Sequence, residues 1–249
     1  MTMNENQNGR MSLKKKLLIT LGALVGVVAI VVTSVLGTLA YLTSSAAVSN
    51  VFTIGNVGIT MTESKVNPDG TLVDGGATKV DTNTYHLLPG KTYTKDPAIT
   101  VAAGSEDSYL FVLVRNDLEK IAWDADDNDA THPSIAKQMR DNGWAQYTTA
   151  STGLIYVYVG QGNVDAFDSL ASNEKNTDVK LEAGSAYPLF SSFSVAPNAD
   201  VSLYGAAKIT LTAVAIQKDG FVDDTNGTAL DNAWAAVVAT YPYIHTGTN

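Results

Sequence analysis

Hydrophobic positions follow two patterns along this chain: one long uncharged run near the amino end and many short alternating runs after it. The uncharged run extends from Leu17 to Leu42 and directly follows Lys14-Lys15-Lys16. Its 26 residues would reach roughly 39 Å as a helix, which exceeds the roughly 30 Å hydrocarbon core of a bilayer. Lysines before such a run keep the amino end in the cytoplasm. We therefore expect residues 1–40 to form a signal helix that exports the remainder and is its only membrane segment.

This segment has two possible fates. Thr38 and Ala40 place small residues at the −3 and −1 positions of a cut before Tyr41, and cuts after Ala46 or Ala47 satisfy the same rule. The apolar run is longer than the core of a typical cleaved signal, which favours a retained signal anchor. We predict cleavage between Ala40 and Tyr41 and a secreted product, with the anchor as the alternative.

Residues 41–249 carry the alternation expected of β-strands. Val57, Ile59 and Met61 alternate with small or polar residues, the pattern of a strand with one buried face. Residues 108–116 are apolar on both faces, as in a central strand that is covered on each side. Further strands are predicted at 154–159, 187–195 and 208–217.

Turns and short helices separate these strands. Turn sequences such as Pro68-Asp69-Gly70 lie between them. Helices are predicted at 134–141, 164–172 and 232–239, the last capped by Asp231. None is long enough to organise a core, so we interpret them as connectors. The body is therefore predicted as one all-β domain, a two-sheet β-sandwich with short connector helices.

Composition and charge narrow the function. The formal net charge is −9, and four of the basic residues precede the apolar run, so the exported part is more acidic still. Such a surface does not favour nucleic acid as a partner. The chain has no cysteine, which excludes disulfides, thiol nucleophiles and thiolate metal sites.

Motifs of the common enzymes are missing from the sequence. His86, His132 and His245 are the only histidines, and no His-Glu-x-x-His pair occurs. There is no Gly-x-Ser-x-Gly nucleophile elbow. The glycines of residues 159–163 lack a phosphate-binding pattern and are interpreted as a hairpin turn. We therefore expect a protein that is not an enzyme and that has no catalytic residues and no cofactor.

One acidic segment resembles part of a calcium loop. Asp124, Asp126 and Asn128 have the alternating spacing of the first three ligands of such a loop. Asp129 then stands where the loop needs glycine, and Ile135 stands where it needs a glutamate. A solvated acidic loop is the preferred interpretation, and calcium is a weak alternative.

Tyrosine is abundant, with 11 residues. Clustered aromatic rings build sugar-binding platforms, yet in a sandwich they more often fill the core or its rim. Both interpretations stay open.

Three segments together resemble the TasA/camelysin family, exported proteins of Gram-positive bacteria whose signals are cut by a SipW-type signal peptidase. Residues 37–43 followed by Asn50-Val51-Phe52-Thr53-Ile54-Gly55-Asn56-Val57 are similar to the signal junction and first strand of that family. Residues 88–97, leading to 105–116, are similar to its "PG-x-x-x-x-K" turn and next strand. Residues 209–221 with Ala233-Trp234 are similar to its closing segments. Residues 120–200 have no counterpart.

The resemblance implies a jelly-roll-like β-sandwich and, for the best-understood members, assembly into fibres of the biofilm matrix. In that model the mature amino-terminal segment adds as a strand to the next subunit. Residues 41–62 are the candidate segment here, and they are nearly uncharged and β-prone. The side chains expected to mediate donation are Val51, Phe52, Ile54, Val57 and Ile59. The alternative is that this segment forms the first strand of its own domain.

The expected function is therefore that of a structural protein of the cell surface or biofilm matrix. Its expected partners are a SipW-type signal peptidase and either further copies of itself or an accessory matrix subunit. Camelysin, a member of the same family, is described as a cell-surface metalloprotease, which gives one alternative that the missing zinc motif does not support. A monomeric adhesin or glycan-binding module is the other.

Overall fold

The structure is a computed structural model that describes residues 43–46, 49–123, 129–225 and 227–246. The predicted signal segment and the bond between Ala40 and Tyr41 lie outside these residues. Within the described ranges, no helix combines the length and apolar character needed to cross a membrane.

The described residues form an all-β fold with a few short helices. The strands are β1 (Thr43–Ala46), β2 (Ser49–Ile54), β3 (Ile59–Ser64), β4 (Lys79–Val80), β5 (Thr84–His86), β6 (Thr92–Thr94), β7 (Ala98–Val101), β8 (Ser108–Asn116), β9 (Trp144–Ala150), β10 (Gly153–Tyr158), β11 (Ala186–Pro188), β12 (Ser192–Ser194) and β13 (Ile209–Gln217). The α-helices are α1 (Ile135–Asp141), α2 (Val164–Ser169), α3 (Ala229–Thr240) and α4 (Tyr243–Thr246).

The largest sheet has five strands in the order β2-β13-β8-β10-β9. Its centre is the antiparallel pair β8 and β13, which are in register from Ile209 opposite Asn116 to Gln217 opposite Ser108. The first seven residues of β8 are buried, which confirms the prediction of a central strand covered on both faces. β2 is the edge strand next to β13 and runs parallel to it, whereas the other pairs in the sheet are antiparallel.

A four-stranded sheet in the order β11-β7-β3-β4 covers one face of the large sheet. Ile59 and Met61 from β3 belong to the same buried cluster as Val112 from β8 and Leu211 from β13. The alternation predicted for Val57, Ile59 and Met61 is therefore confirmed, although Val57 precedes the strand. The main core lies between these two sheets. Two small pairs, β1 with β5 and β12 with β6, add to the sheet structure.

Helices cover the other face of the large sheet. Phe111 from β8 and Val214 from β13 share a second buried cluster with Phe167 from α2 and Trp234 from α3. This arrangement differs from the prediction that all helices are connectors, because α3 contributes five buried residues to a core of its own. Asp231 is not the cap of α3 as predicted. The helix begins three residues earlier, and Thr228 is its cap.

Two other predictions are corrected. The strand predicted at 187–195 is divided between β11 and β12, which belong to different sheets, and residues 189–191 separate them. The glycine-rich residues 159–163 do not form a hairpin turn, because they connect β10 to helix α2. Helix α1 is found close to the predicted range, but it begins at Ile135, and Ser134 is its cap rather than a helical residue. Gly143 lies beyond its end at a φ of +91°.

Candidate strand-exchange site

The amino-terminal strand β2 lies along the edge of β13. Its register is parallel, with Val51 opposite Ala213, Phe52 opposite Val214 and Ile54 opposite Ile216. β13 uses its other edge to pair with β8 along its whole length. Without β2, the backbone groups on the free edge of β13 would have no strand partner, and an unpaired apolar strand of this length is a strong template for a second chain.

The side chains of Val51, Phe52 and Ile54 in β2 are half-buried, and they contact the two cores alternately. Val51 packs against the main core between the sheets. Phe52 and Ile54 pack against the helix-covered core on the other face. Both faces of this short strand therefore contribute apolar contacts in addition to the backbone pairing, as in an edge site that recognises alternate side chains.

Two tyrosines from the carboxyl-terminal part of the chain form a wall beside β2, which we call the aromatic wall (Tyr241 and Tyr243). The ring centroid of Phe52 lies 4.9 Å from that of Tyr241 and 5.4 Å from that of Tyr243, in tilted and edge-on geometries. The Tyr241 hydroxyl donates a hydrogen bond of 3.2 Å to the backbone oxygen of Thr53. Burial, followed by the neighbouring Tyr241, raises the pKa of Tyr243, which favours the neutral form of that side chain.

A four-residue hinge, residues 55–58, joins β2 to the rest of the domain. Gly55 has a φ of +87°, a conformation that favours glycine. The backbone N–H of Asn56 donates to Oε1 of Gln217 at 3.1 Å, and its carbonyl accepts from the N–H of Glu106 at 3.0 Å. Short constrained hinges of this kind favour exchange of the preceding strand between copies.

The hinge divides the residues predicted to take part in strand donation. Val51, Phe52 and Ile54 precede it and lie on β2. Val57 lies within the hinge and Ile59 follows it, and both are buried in the core of their own domain. Because those two residues anchor the main body, a movable segment built from this chain ends at the hinge. β1, which precedes β2, pairs separately with β5.

The remaining sheet edges are poor templates for a partner strand. β9 ends the large sheet on the other side, and a register irregularity opposite Ile155 and Tyr156 interrupts its pairing. In the four-stranded sheet, β4 has two residues and includes Lys79, while β11 has three and ends at Pro188. Short, bulged, lysine-bearing or proline-bearing edges resist pairing with another chain. Compared with these three edges, β13 would present a longer and more regular docking edge once β2 has left it.

The weak calcium candidate, Asp124, Asp126 and Asn128, lies outside the described residues. Asp129, just after them, makes local contacts: hydrogen bonds from Thr131 and then His132 hold its pKa at about 2. The described part of the chain has no group of three His, Cys, Asp or Glu residues placed to hold a metal ion.

The tyrosines mostly fill the interior rather than form a platform. None of the ten that the structure describes is fully exposed. A different aromatic site lies at a cavity of about 260 Å³, which is lined by Trp123, Tyr156 and Phe193 together with the carboxylates Asp117 and Glu119. The Trp123 indole stacks on the His132 ring with centroids 3.8 Å apart and planes 4° apart.

Sequence reasoning did not find the aromatic wall or the role of Gln217 at the hinge. A signal existed for the wall: Tyr241 and Tyr243 follow an apolar helix and are spaced two residues apart at the carboxyl end. What they contact depends on the long-range pairing of β2 with β13, which local patterns do not encode. No protein-family model, curated protein or solved structure matches the chain.

Proposed function

We propose that this protein is an exported structural subunit of the cell surface or biofilm matrix, which assembles into fibres by exchanging its amino-terminal strand between copies. The observation that carries the proposal is the position of β2: a strand in the amino-terminal part of the predicted mature chain, at a sheet edge, ahead of a short hinge. When β2 leaves its own domain, β13 is left with an unpaired edge that fits the β2 strand of another copy.

Exchange of this kind is energetically accessible because the same contacts form in both states. The pairing of β2 with β13, the pairing of β1 with β5 and the packing of Phe52 recur between copies, and only the path of the hinge differs. Donation from one copy to the next is a head-to-tail contact, and when its rotation does not close, it produces a filament. The assembled form is therefore favoured by high local concentration rather than by a new set of interactions.

The sheet arrangement also supports a finer proposal for the fold, a jelly-roll-like β-sandwich. Its two layers are the five-stranded and four-stranded sheets, whose facing side chains share the main core. In this proposal the helices that cover the second face of the large sheet are additions to the sandwich.

Export is supported by the sequence, in which three lysines precede the apolar run up to Leu42. We propose that a SipW-type signal peptidase cuts between Ala40 and Tyr41 and releases a secreted chain. Its partners outside the cell are further copies or an accessory matrix subunit. The proposal assigns the protein no catalytic activity and no cofactor.

Electron microscopy of two purified chains tests the assembly. The chain from Tyr41 onward is expected to form filaments with and without EDTA. The chain from Val57 onward is expected to form none, and a synthetic peptide of residues 43–56 is expected to bind it by occupying the edge of β13. Monodisperse particles of the longer chain over a range of concentrations would contradict the proposal. Metal-dependent cleavage of casein would favour the protease alternative.

A second candidate function is saccharide binding at the cavity beside Trp123. An indole face packs well against the apolar face of a pyranose ring, and carboxylates such as Asp117 and Glu119 accept hydrogen bonds from sugar hydroxyls. The cavity of about 260 Å³ suits one or two sugar units. This site differs from the platform of exposed tyrosines that the sequence suggested.

Calorimetric titration with neutral oligosaccharides of glucose and of N-acetylglucosamine tests this second function. Binding is expected to weaken about tenfold in Trp123→Ala, while Leu203→Ala, a change at a side chain that is 74% exposed, serves as the control. Absence of binding to both series, or equal binding by both variants, would contradict saccharide recognition at this cavity.

A further inference from the structure

The contacts of Phe52 suggest that the docking groove distinguishes between strands. Phe52 is the only aromatic residue in β2, and its ring contacts both rings of the aromatic wall. Backbone pairing with β13 is independent of sequence, so it would accept any extended segment. Selectivity for one strand over another must therefore come from side-chain contacts. A large ring with two aromatic neighbours discriminates between strands more strongly than a small aliphatic group does.

The three rings also form one closed group. Tyr241 and Tyr243 are themselves in edge-on contact, with centroids 6.1 Å apart, so each of the three rings contacts the other two. Ile244, between the wall and the carboxyl end, is 1% exposed and belongs to the helix-covered core. This buried residue fixes the wall to the body of the domain.

The aromatic wall also forms a hydrogen bond with the backbone of the bound strand. The hydroxyl of Tyr241 donates to the carbonyl of Thr53, the residue after Phe52. An incoming strand therefore makes both the ring contacts and the hydrogen bond from Tyr241 only when its aromatic residue lies opposite Val214 of β13, as Phe52 does. A slip of one residue would turn the ring toward the other core and separate the carbonyl from the hydroxyl.

We infer that the aromatic wall is the specificity element of the docking groove: Tyr241 and Tyr243 select a donated strand from a second copy of this chain through an aromatic side chain at the position of Phe52. This inference rests on the proposed strand exchange and adds to it the feature that the groove recognises. Phe52 is the anchor of the strand, and Tyr241 also fixes its register.

Labelled peptides provide a direct test on the intact mature chain. A fluorescent peptide of residues 43–56 is titrated with the chain from Tyr41 onward, and anisotropy reports binding in competition with the resident β2. The same measurement uses peptides with Phe52→Ala and with Val51→Ala. The second is a matched control, because Val51 is an apolar residue on the same strand that faces the other core.

The Phe52→Ala peptide is expected to bind at least about tenfold more weakly than the natural peptide, and the Val51→Ala peptide within about threefold of it. A Phe52→Tyr peptide is expected to retain most of the binding. Tyr243→Phe in the chain should preserve selectivity, whereas Tyr243→Ala should reduce the difference between the natural and Phe52→Ala peptides. Thermal melting of each chain variant checks that it folds.

The outcomes separate this inference from the proposed function. Equal binding of the natural and Phe52→Ala peptides overturns the aromatic selection, even if filaments form. Equal weakening by Val51→Ala and Phe52→Ala also overturns it, since general hydrophobicity would then explain binding. If the chain binds the natural peptide selectively but forms no filaments, the preference for an aromatic side chain at the position of Phe52 is supported and the fibre function is contradicted. Failure of the natural peptide to bind at any concentration overturns the inference.

Discussion

The amine Nζ of Lys95 lies 2.6 Å from Oε2 of Glu63, and the two side chains are 1% and 3% exposed. Burial lowers the pKa of Lys95, while the charge of Glu63 and its hydrogen bond act in the opposite direction. The second carboxylate oxygen of Glu63 is buried with no hydrogen-bond partner among the described residues. This ion pair connects strand β3 to the segment that follows β6, inside the body that would remain in place during strand exchange.

Removing one member of the pair is expected to destabilise the fold strongly. Lys95→Met leaves an uncompensated charge at Glu63 in the interior, so the free energy of unfolding should fall by about 3–5 kcal/mol. The double variant Glu63→Met with Lys95→Met should lose less than either single variant, because neither charge is then buried. Denaturant unfolding monitored by circular dichroism measures these differences.

Lys79→Met is the control for this comparison. Lys79 lies 3.9 Å from Asp96, and its side chain is 52% exposed, so this ion pair should contribute less than about 1 kcal/mol. If Lys95→Met were no more destabilising than Lys79→Met, the buried pair would have no special role in stability.

The sequence contained the signal for this pair. Glu63 is in phase with Ile59 and Met61 on the buried face of β3, and Lys95 is in phase with Tyr93. An alternation analysis extended two residues beyond each apolar run would have placed both charges inside. Opposite charges at two buried positions would then have suggested that they pair.

Other features could not be derived from local patterns. The two-sided apolar character of 108–116 predicted a covered central strand, and the structure confirms it. The sequence patterns did not predict that α3 covers the second face of the large sheet. The start of this helix depends on a choice between Thr228 and Asp231, which are both good caps. The parallel pairing of β2 with β13 joins segments about 160 residues apart, and residue-level alternation does not specify such partners.

Alkaline pH is expected to destabilise the protein through its buried tyrosines. Burial, followed by nearby acidic residues, raises the pKa of Tyr109 to about 12, and burial also raises the pKa values of Tyr85 and Tyr147. Tyrosines in the unfolded chain ionise near pH 10. The folded state therefore retains these protons longer, and its stability should fall as the pH rises from about 10 to about 12.

Lys95 contributes with the opposite sign, because its lowered pKa means that the unfolded state holds that proton longer, but this contribution stops growing above the ordinary lysine pKa of 10.5, where the unfolded state has lost the proton too. Circular dichroism and tyrosinate absorbance, followed together in one alkaline titration, check this prediction. Tyr109→Phe should make the loss of stability shallower. Ionisation of all tyrosines near pH 10 with unchanged circular dichroism would contradict it.

The cap of helix α3 is expected to contribute measurably to stability. The side chain of Thr228 accepts from the N–H of Asp231 at 3.2 Å, and the Asp231 carboxylate accepts from the N–H of Thr228 at 3.0 Å. The Thr228 hydroxyl also donates to the carbonyl of Lys175 at 2.7 Å. Thr228→Ala should lower the free energy of unfolding by about 1–2 kcal/mol, and Thr228→Ser should retain most of it. Equal stability of the Ala and Ser variants in denaturant would show that the capping box is unimportant.

The hinge glycine offers the sharpest test of how firmly β2 is held. A Cβ atom at Gly55 would lie 2.7 Å from Cβ of Gln217, and its φ of +87° is unfavourable for alanine. Gly55→Ala should therefore cost about 1–3 kcal/mol, and the simplest relief is partial release of β2. Hydrogen exchange of residues 49–54 should become about tenfold faster, while the centre of β8 keeps its protection.

Gly104→Ala is the matched control for this hinge variant, since Gly104 also has a positive φ, of +81°, but nothing lies within 4 Å of its Cβ position. It should leave exchange in residues 49–54 unchanged. Strand exchange between copies would place Gly55 against a Gln217 in either state, so the strain would be present in the monomer and in the filament. Gly55→Ala should therefore shorten the lag before filaments appear without changing their final amount. An unchanged exchange rate in β2 would mean that the hinge does not control its release.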